Sequence, residues 1–267
     1  MLKNLKNRNP YAHKGDFGKV MVIGGSQNYT GAPILNSLAA YRMGTDIVEI
    51  ISPRRAADII ASYSPSMITF PLEKDYFRLK DKKAILELIK DSDTLIIGGG
   101  IGVSSDTKKL IPSLIKETDI SAVVDADAIK SISTKDLKSN LILTPHKKEF
   151  EILSGESLEG DSKKDKYVVR EFAQKHRVTL LIKGKEDIIT DGEKVRINST
   201  GTPFMSKGGT GDILAGIIAS LIAQGFSYLD SAYYGAYICG KAGEIISEEK
   251  KMGYLPEELV DKIPDVL

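Results

Sequence analysis

Short apolar runs that stop at glycine, proline or aspartate alternate along this chain with stretches of helical period, and this alternation limits the fold more than any other feature. The runs are KVMVIGG from Lys19, DIVEII from Asp46, TLIIGGG from Thr94, SAVVDAD from Ser121, LILTP from Leu141 and TLLIKG from Thr179. A strand that is apolar throughout has both faces covered, which is the situation of a parallel sheet between helices. Residues 31–43, 53–63, 81–90, 106–117 and 164–176 set apolar residues three and four apart opposite charged ones, predicting the covering helices. Beyond Lys183 the pattern changes. DIITDGEKVRI predicts a hairpin turning at Asp191-Gly192, where a tight turn wants positive φ, and the last third is predicted mostly helical. The expectation is an α/β fold with a central, mostly parallel sheet. Residues 1–267 are read as one domain, because no repeat, low-complexity segment or linker interrupts them.

Charge bounds the partners. Lysine and arginine number 37 against 36 acidic residues, so a net charge of +1 supplies no overall field for nucleic acid or an anionic membrane. No apolar stretch reaches about 18 residues, and MLKNLKNRNPYAHKGDFG lacks the apolar middle of a secretion leader, so a cytoplasmic protein is expected. Cys239, the only cysteine, excludes an internal disulfide or a cysteine-based metal site and is expected to pack in the interior.

Ligands of an open parallel sheet settle beyond the carboxyl ends of its strands. GGSQNYTGAP follows the first run and leads into the helix predicted from Gly31; GGGIG, residues 98–102, repeats the arrangement. Glycine backbone beside a helix start can bring N–H groups to an anion, and equally serves plain turn geometry. Neither stretch fits the G-x-G-x-x-G dinucleotide pattern or a P-loop. Asp125 and Asp127 close their run either as helix caps or as contacts to ligand and metal. In LTPHKKEF, Thr144 and Pro145 suit the N-cap and first position of a helix, which puts His146 and Glu149 on one face of its first turn. A neutral imidazole acting through hydrogen bonds suits that place, and Glu149 could hold magnesium through water. An ordinary surface helix start explains the same residues.

SKGGTGDILAGIIASLIAQG, residues 206–225, says more. From Asp212 to Gln224 the segment is nearly all isoleucine, leucine and alanine, with Gly225 as a stop, predicting a helix buried on all sides whose first residue is acidic. Capping explains Asp212 but not Gly208, Gly209, Thr210 and Gly211 before it. N–H groups aimed past a helix N-terminus form a cup for a phosphoryl group in transfer. An aspartate at its edge can take the proton of an attacking hydroxyl.

GGTGD opening an apolar helix resembles the anion-hole and base motif of the ribokinase-like superfamily. IGGSQNYTGAP, GGGIG, DADAI, LTPHKKEF, LIKGKEDII and GTPFMSKGGTGDILAG, in this order, resemble the ADP- or ATP-dependent NAD(P)H-hydrate dehydratases from about Lys14 to the C-terminus. The resemblance implies a three-layer α/β/α fold and a repair reaction. The S-epimer of hydrated NADH or NADPH is dehydrated while ADP or ATP, with Mg2+, is hydrolysed to AMP or ADP and phosphate. It implies that Asp212 helps phosphorylate the ring hydroxyl and that Gly208, Gly209, Thr210 and Gly211 steady the phosphoryl. Substrate is expected near Ala32, Gly100, Gly102, Asp125, His146 and Asp212. Nucleotide is expected near Lys183, Gly184, Lys185, Glu186, Asp187, Gly208 and Gly211.

A homo-oligomer, such as a tetramer, is expected by the same resemblance. So is a separate epimerase, since the chain is too short to carry a fused one. Four positions depart from the family pattern. Gly99 and Ile101 replace proline and leucine in their turn, Phe204 replaces a glycine and is expected to narrow the site, and Asp187 puts negative charge near phosphates where threonine is frequent. A kinase of hydroxymethylpyrimidine or hydroxyethylthiazole shares the GGTGD chemistry, but TPHKKEF and DADAI favour the dehydratase. A non-catalytic nucleotide sensor would not need the base.

Overall fold

The computed structural model of the chain describes residues 9–160 and 162–267; the expectation about a leader falls in part on residues 1–8, outside them. Among the described residues nine strands form one sheet: β1 Lys19–Ile23, β2 Ile47–Pro53, β3 Ile68–Leu72, β4 Thr94–Ile97, β5 Ser121–Val124, β6 Leu141–Leu143, β7 Thr179–Ile182, β8 Asp187–Thr190 and β9 Val195–Asn198. Their spatial order is β3-β2-β1-β4-β5-β6-β7-β8-β9. All pairings up to β6–β7 are parallel and the last two are antiparallel, so the mostly parallel sheet expected from the alternating runs is the one observed.

Helices cover both faces. On one lie α1 (Gly31–Arg42), α2 (Arg54–Tyr63), α7 (Thr210–Ala223), α8 (Tyr228–Lys250), α9 (Pro256–Asp261) and α10 (Ile263–Val266). On the other lie α3 (Lys82–Leu88), α4 (Thr107–Glu117), α5 (Lys147–Ser154) and α6 (Ser162–His176). Alternate residues of each strand feed the two cores: Val20, Val22 and Ile96 face the first, and Met21, Ile23 and Ile97 the second. The result is three layers. α7 is buried from Ile213 to Ile222, sandwiched between the sheet, α1 and α8, as its unbroken apolar sequence requires. Cys239 is buried on α8, and its thiol is pushed up to about 12 by burial and then by Asp187.

The five predicted helices α1, α2, α3, α4 and α6 start and stop within two residues of the expected limits. The edge strand β3, ITFPL, was not expected. Only Leu72 of its five residues is buried, and Thr69 and Pro71 interrupt its apolar residues; an edge tolerates proline because one side of the ladder is free. The hairpin is real, but its loop has four residues, since Thr190 pairs with Val195. Gly192 has φ +91°, and Asp191 Oδ1 accepts from the backbone N–H groups of Glu193 and Lys194, which stabilises the longer loop.

The sheet positions the site by its order. Chain connections run outward from β1 in one direction and from β4 in the other, so the loops after these neighbouring strands part and leave a crevice at their carboxyl ends. Among the described residues no helix is long and apolar enough to cross a membrane.

Candidate active site

Both glycine turns expected to matter open into that crevice and touch. Gly25 N donates to Gly99 O at 2.8 Å, joining the turn after β1 to the turn after β4. A Cβ on Gly99 would lie 2.6 Å from Asp212 Oδ1, 3.1 Å from Ala32 Cβ and 3.2 Å from Asn36 Oδ1. A side chain there would have to displace a neighbour, so glycine at 99 lets Asp212, α1 and the β4 turn close on one another. Gly100, at φ +68°, lies against Tyr29, and Gly102 N donates to Asp127 Oδ2 at 3.1 Å.

α7 begins at Thr210, two residues before the expected start. Gly209, at φ +97°, turns the chain as N-cap, and Ile213 N closes the first turn on Gly209 O. Asp212 is therefore the third residue of the helix, inside its first turn, where N–H groups have no partner within the helix. The Thr210 hydroxyl donates to Met205 O at 3.0 Å and so tethers the loop, while Gly208 is exposed with open space around it.

Behind this turn lies a buried ion pair. Asp125, at the end of β5 and 3% exposed, accepts at Oδ1 from Lys183 Nζ and from the Thr144 hydroxyl, each at 2.8 Å. Of its two sequence readings, the helix cap is not the one observed, because its side chain makes no capping bond. The Cβ that Gly211 lacks would sit 3.5 Å from both Asp125 Oδ2 and Lys183 Nζ, so the GGTGD turn rests directly on the pair. Burial tends to depress the Lys183 ammonium, but the Asp125 carboxylate outweighs it and holds the pKa above the ordinary value. Asp212 is pushed up to about 7, first by burial and then by Asp125, with Lys183 partly opposing. A carboxylate tuned to neutrality is suited to accept and return a proton at the operating pH of a cell.

The LTPHKKEF segment departs from expectation. His146, not Thr144, is the N-cap, and α5 starts at Lys147. Thr144 and Pro145 are held in the strand extension, Thr144 N by Val124 O and Pro145 O by Lys183 N. His146 Nδ1 accepts from Glu149 N at 3.2 Å while Glu149 Oε2 accepts from His146 N at 3.1 Å, a reciprocal capping box. The imidazole is half exposed; the Glu149 carboxylate is buried, with Lys130 Nζ 3.8 Å away. Lys130 also pairs with Asp127 at 3.1 Å, which links the α5 start to Gly102. Among the described residues no group of three or more histidine, cysteine, aspartate or glutamate side chains is placed to hold a metal ion.

At the β7–β8 turn, Lys185 and Glu186 are exposed, and Asp187 is tied down: Oδ1 accepts from Gly184 N at 3.0 Å and Oδ2 from Asn198 Nδ2 at 2.9 Å. Burial pushes its pKa above the ordinary carboxylate value, against the hydrogen bonds from Asn198 and Gly184. Phe204 packs against the core from a short turn that contacts α8, and its carbonyl accepts from the Tyr254 hydroxyl. Sequence reasoning missed Asn36. It is 1% exposed, and its Nδ2 donates to Asp212 O at 2.7 Å. Its signal was an amide within the apolar stripe of the helix over 31–43.

A family model described as NAD(P)H-hydrate dehydratase matches residues 20–265. The ADP-dependent (S)-NAD(P)H-hydrate dehydratase of Cenarchaeum symbiosum is 37% identical over 269 residues, 99% of this chain and 93% of that protein. The bifunctional NAD(P)H-hydrate repair enzyme Nnr of Hyperthermus butylicus is 42% identical over 266 residues, 96% of this chain, which spans about half (49%) of that relative's length. The ADP/ATP-dependent NAD(P)H-hydrate dehydratase of Bacillus subtilis, co-crystallised with ATP and Mg2+, shares the fold at a TM-score of 0.82 and 23% identity, covering 100% of this chain and 96% of that one. With the matched region running from β1 to the last helices and taking in both glycine turns, the chain belongs to the NAD(P)H-hydrate dehydratase family.

Proposed function

We propose that this chain dehydrates hydrated NADH or NADPH back to the working cofactor, using ADP or ATP as phosphoryl donor. The observation that carries the reading is the seat of Asp212: a carboxylate tuned to about 7, within the first turn of a buried helix and one residue after the glycine that rests on the Asp125–Lys183 pair. The ring hydroxyl gives its proton to Asp212, and its oxygen attacks the terminal phosphorus. The bond from that phosphorus to the bridging oxygen breaks, and AMP or ADP leaves. N–H groups of the turn from Gly208 to Gly211 hold the charge that gathers on the phosphoryl. The carbon–oxygen bond then breaks with phosphate as leaving group, the neighbouring ring carbon loses a proton, and the double bond returns.

Ala32, Gly100, Gly102, Asp125 and His146 frame the hydrated ring in this reading. Lys183, with Gly184, Lys185, Glu186, Asp187, Gly208 and Gly211, borders the nucleotide. Magnesium fits as the nucleotide's counter-ion, held mainly by phosphate oxygens and water; when bound, it neutralises phosphate charge. Glu149 could reach it only through water, because its carboxylate is engaged by the α5 cap and lies near Lys130. Residues 1–267 act here as one dehydratase unit in a cytoplasmic homo-oligomer, and epimerisation of the hydrate is assigned to sequence outside them.

The test mixes the protein with hydrated NADPH, Mg2+ and either ADP or ATP, following reduced-nicotinamide absorbance and free phosphate. Recovery with one nucleotide supports the reading and names the donor. A stable phosphorylated alcohol from a hydroxymethylpyrimidine or hydroxyethylthiazole, without recovery of NADPH, would move the chain to the kinases. Nucleotide binding with no turnover of either would make it a sensor.

A further inference from the structure

Asn36 Oδ1 is buried and has no hydrogen-bond donor among the described residues, although buried polar atoms are nearly always paired. Its orientation is fixed from the other end of the amide, where Nδ2 donates to Asp212 O at 2.7 Å; a flipped amide would set two acceptors together. The orphan oxygen therefore points toward the Gly99 backbone. Asp212 Oδ1 converges on the same spot, the two oxygens lying 3.2 and 2.6 Å from the point where a Gly99 side chain would begin. Two acceptors that flank one point, with no donor between them among the described residues, leave room for a hydrogen, and of the two groups Asp212 is the one that can gain it.

We propose that Asn36 is a positioning residue for Asp212: its N–H fixes the first turn of α7, and its carbonyl oxygen accepts a hydrogen bond from the Asp212 carboxyl once that group is protonated, directly or across one water. The inference rests on the reading of Asp212 as the base. The proton leaves the substrate hydroxyl, joins an Asp212 oxygen, and the new O–H donates to Asn36 Oδ1. The ionised form gains nothing from the same oxygen, so Asn36 favours the proton-bearing state and strengthens the base. The charged groups that act on Asp212 are Asp125 and Asp127 after β5 and Lys183 after β7; α1 brings the uncharged Asn36.

The experiment is a carbon-13 NMR titration of the Asp212 carboxyl in the ligand-free protein, assigned against Asp212→Asn, for wild type and Asn36→Leu. Losing the acceptor should lower the Asp212 pKa by about one unit. Apolar replacement acting through burial alone would raise it, so the sign separates a hydrogen-bonding role from simple packing. An unchanged or raised pKa in folded protein overturns the proposal. If Asn36→Leu does not fold, Asn36→Val, smaller and equally apolar, is read by the same sign. Turnover of hydrated NADPH is measured in parallel. A lowered pKa in a protein that does not restore NADPH supports Asn36 and sinks the dehydratase reading; an unmoved pKa in a protein that does restore it sinks only the role of Asn36.

Discussion

Gly99→Ala tests the placement of the base with the addition of one carbon. Gly99 lies outside the left-handed region of backbone space, so alanine adds no backbone strain. Its methyl would stand 2.6 Å from Asp212 Oδ1, whereas ordinary contact starts at 3.4 Å. The carboxylate, at the end of a side chain, is the group able to yield, and it must retreat by about 0.8 Å. A misplacement of about 1 Å at the reacting centre costs about 10²-fold. The expected result is kcat for NADPH recovery reduced about 10²-fold with nucleotide affinity unchanged. Ala32 Cβ and Asn36 Oδ1 are also close, at 3.1 and 3.2 Å. Overpacking of this kind costs about 1–3 kcal/mol, so the variant should remain folded in a urea titration. Wild-type kcat in a folded Gly99→Ala protein would refute the assignment of the carboxylate beside Gly99 as the base.

The remaining predictions concern the same cluster. Asp212→Asn should slow turnover by about 10² to 10⁴ with nucleotide binding retained, measured by calorimetry beside the rate. In wild type, activity should fall as pH drops below about 7 and the base is protonated. Stability runs the other way: the folded state keeps a proton that the unfolded chain releases above 3.8, so stability declines from that pH to about 7 and then levels. Asp212→Asn should lack this decline in denaturation measured across pH. Lys183→Met strands the buried Asp125 carboxylate and should cost about 3 kcal/mol in urea denaturation, the low end for a broken buried pair because the lysine is 24% exposed. His146→Ala removes the α5 cap, which costs about 1 kcal/mol, and should weaken binding of hydrated cofactor more than of nucleotide in titrations of each. Equal loss for both ligands would contradict the placement of His146.

Much of the fold was legible because it is written in local periods. Runs apolar on both faces are recognisable within five or six residues, and amphipathic helices within three turns, so β1, β2 and β4 through β7 and their helices could be read directly. β3 was hidden because Thr69 and Pro71 break its apolar residues, which an edge strand tolerates. The helix starts of α5 and α7 were misplaced for a related reason. Thr144 and Pro145 have good capping chemistry, but the neighbouring strands claim their backbone groups; Gly209 has no side chain to cap with, yet its positive φ sets where α7 begins.

By itself, the sequence determined the layered α/β architecture and the two glycine turns, since strand character, helix period and the freedom of glycine are properties of a few adjacent residues. Only the tertiary structure decided what the acidic residues do. Asp125 meets Lys183 across 58 residues of chain, and Asn36 reaches Asp212 across 176. The neutral-range pKa of Asp212 comes from burial and from charges that no stretch of sequence brings together. A carboxylate's affinity for a proton depends on what surrounds it in space, and only the folded chain creates that surrounding.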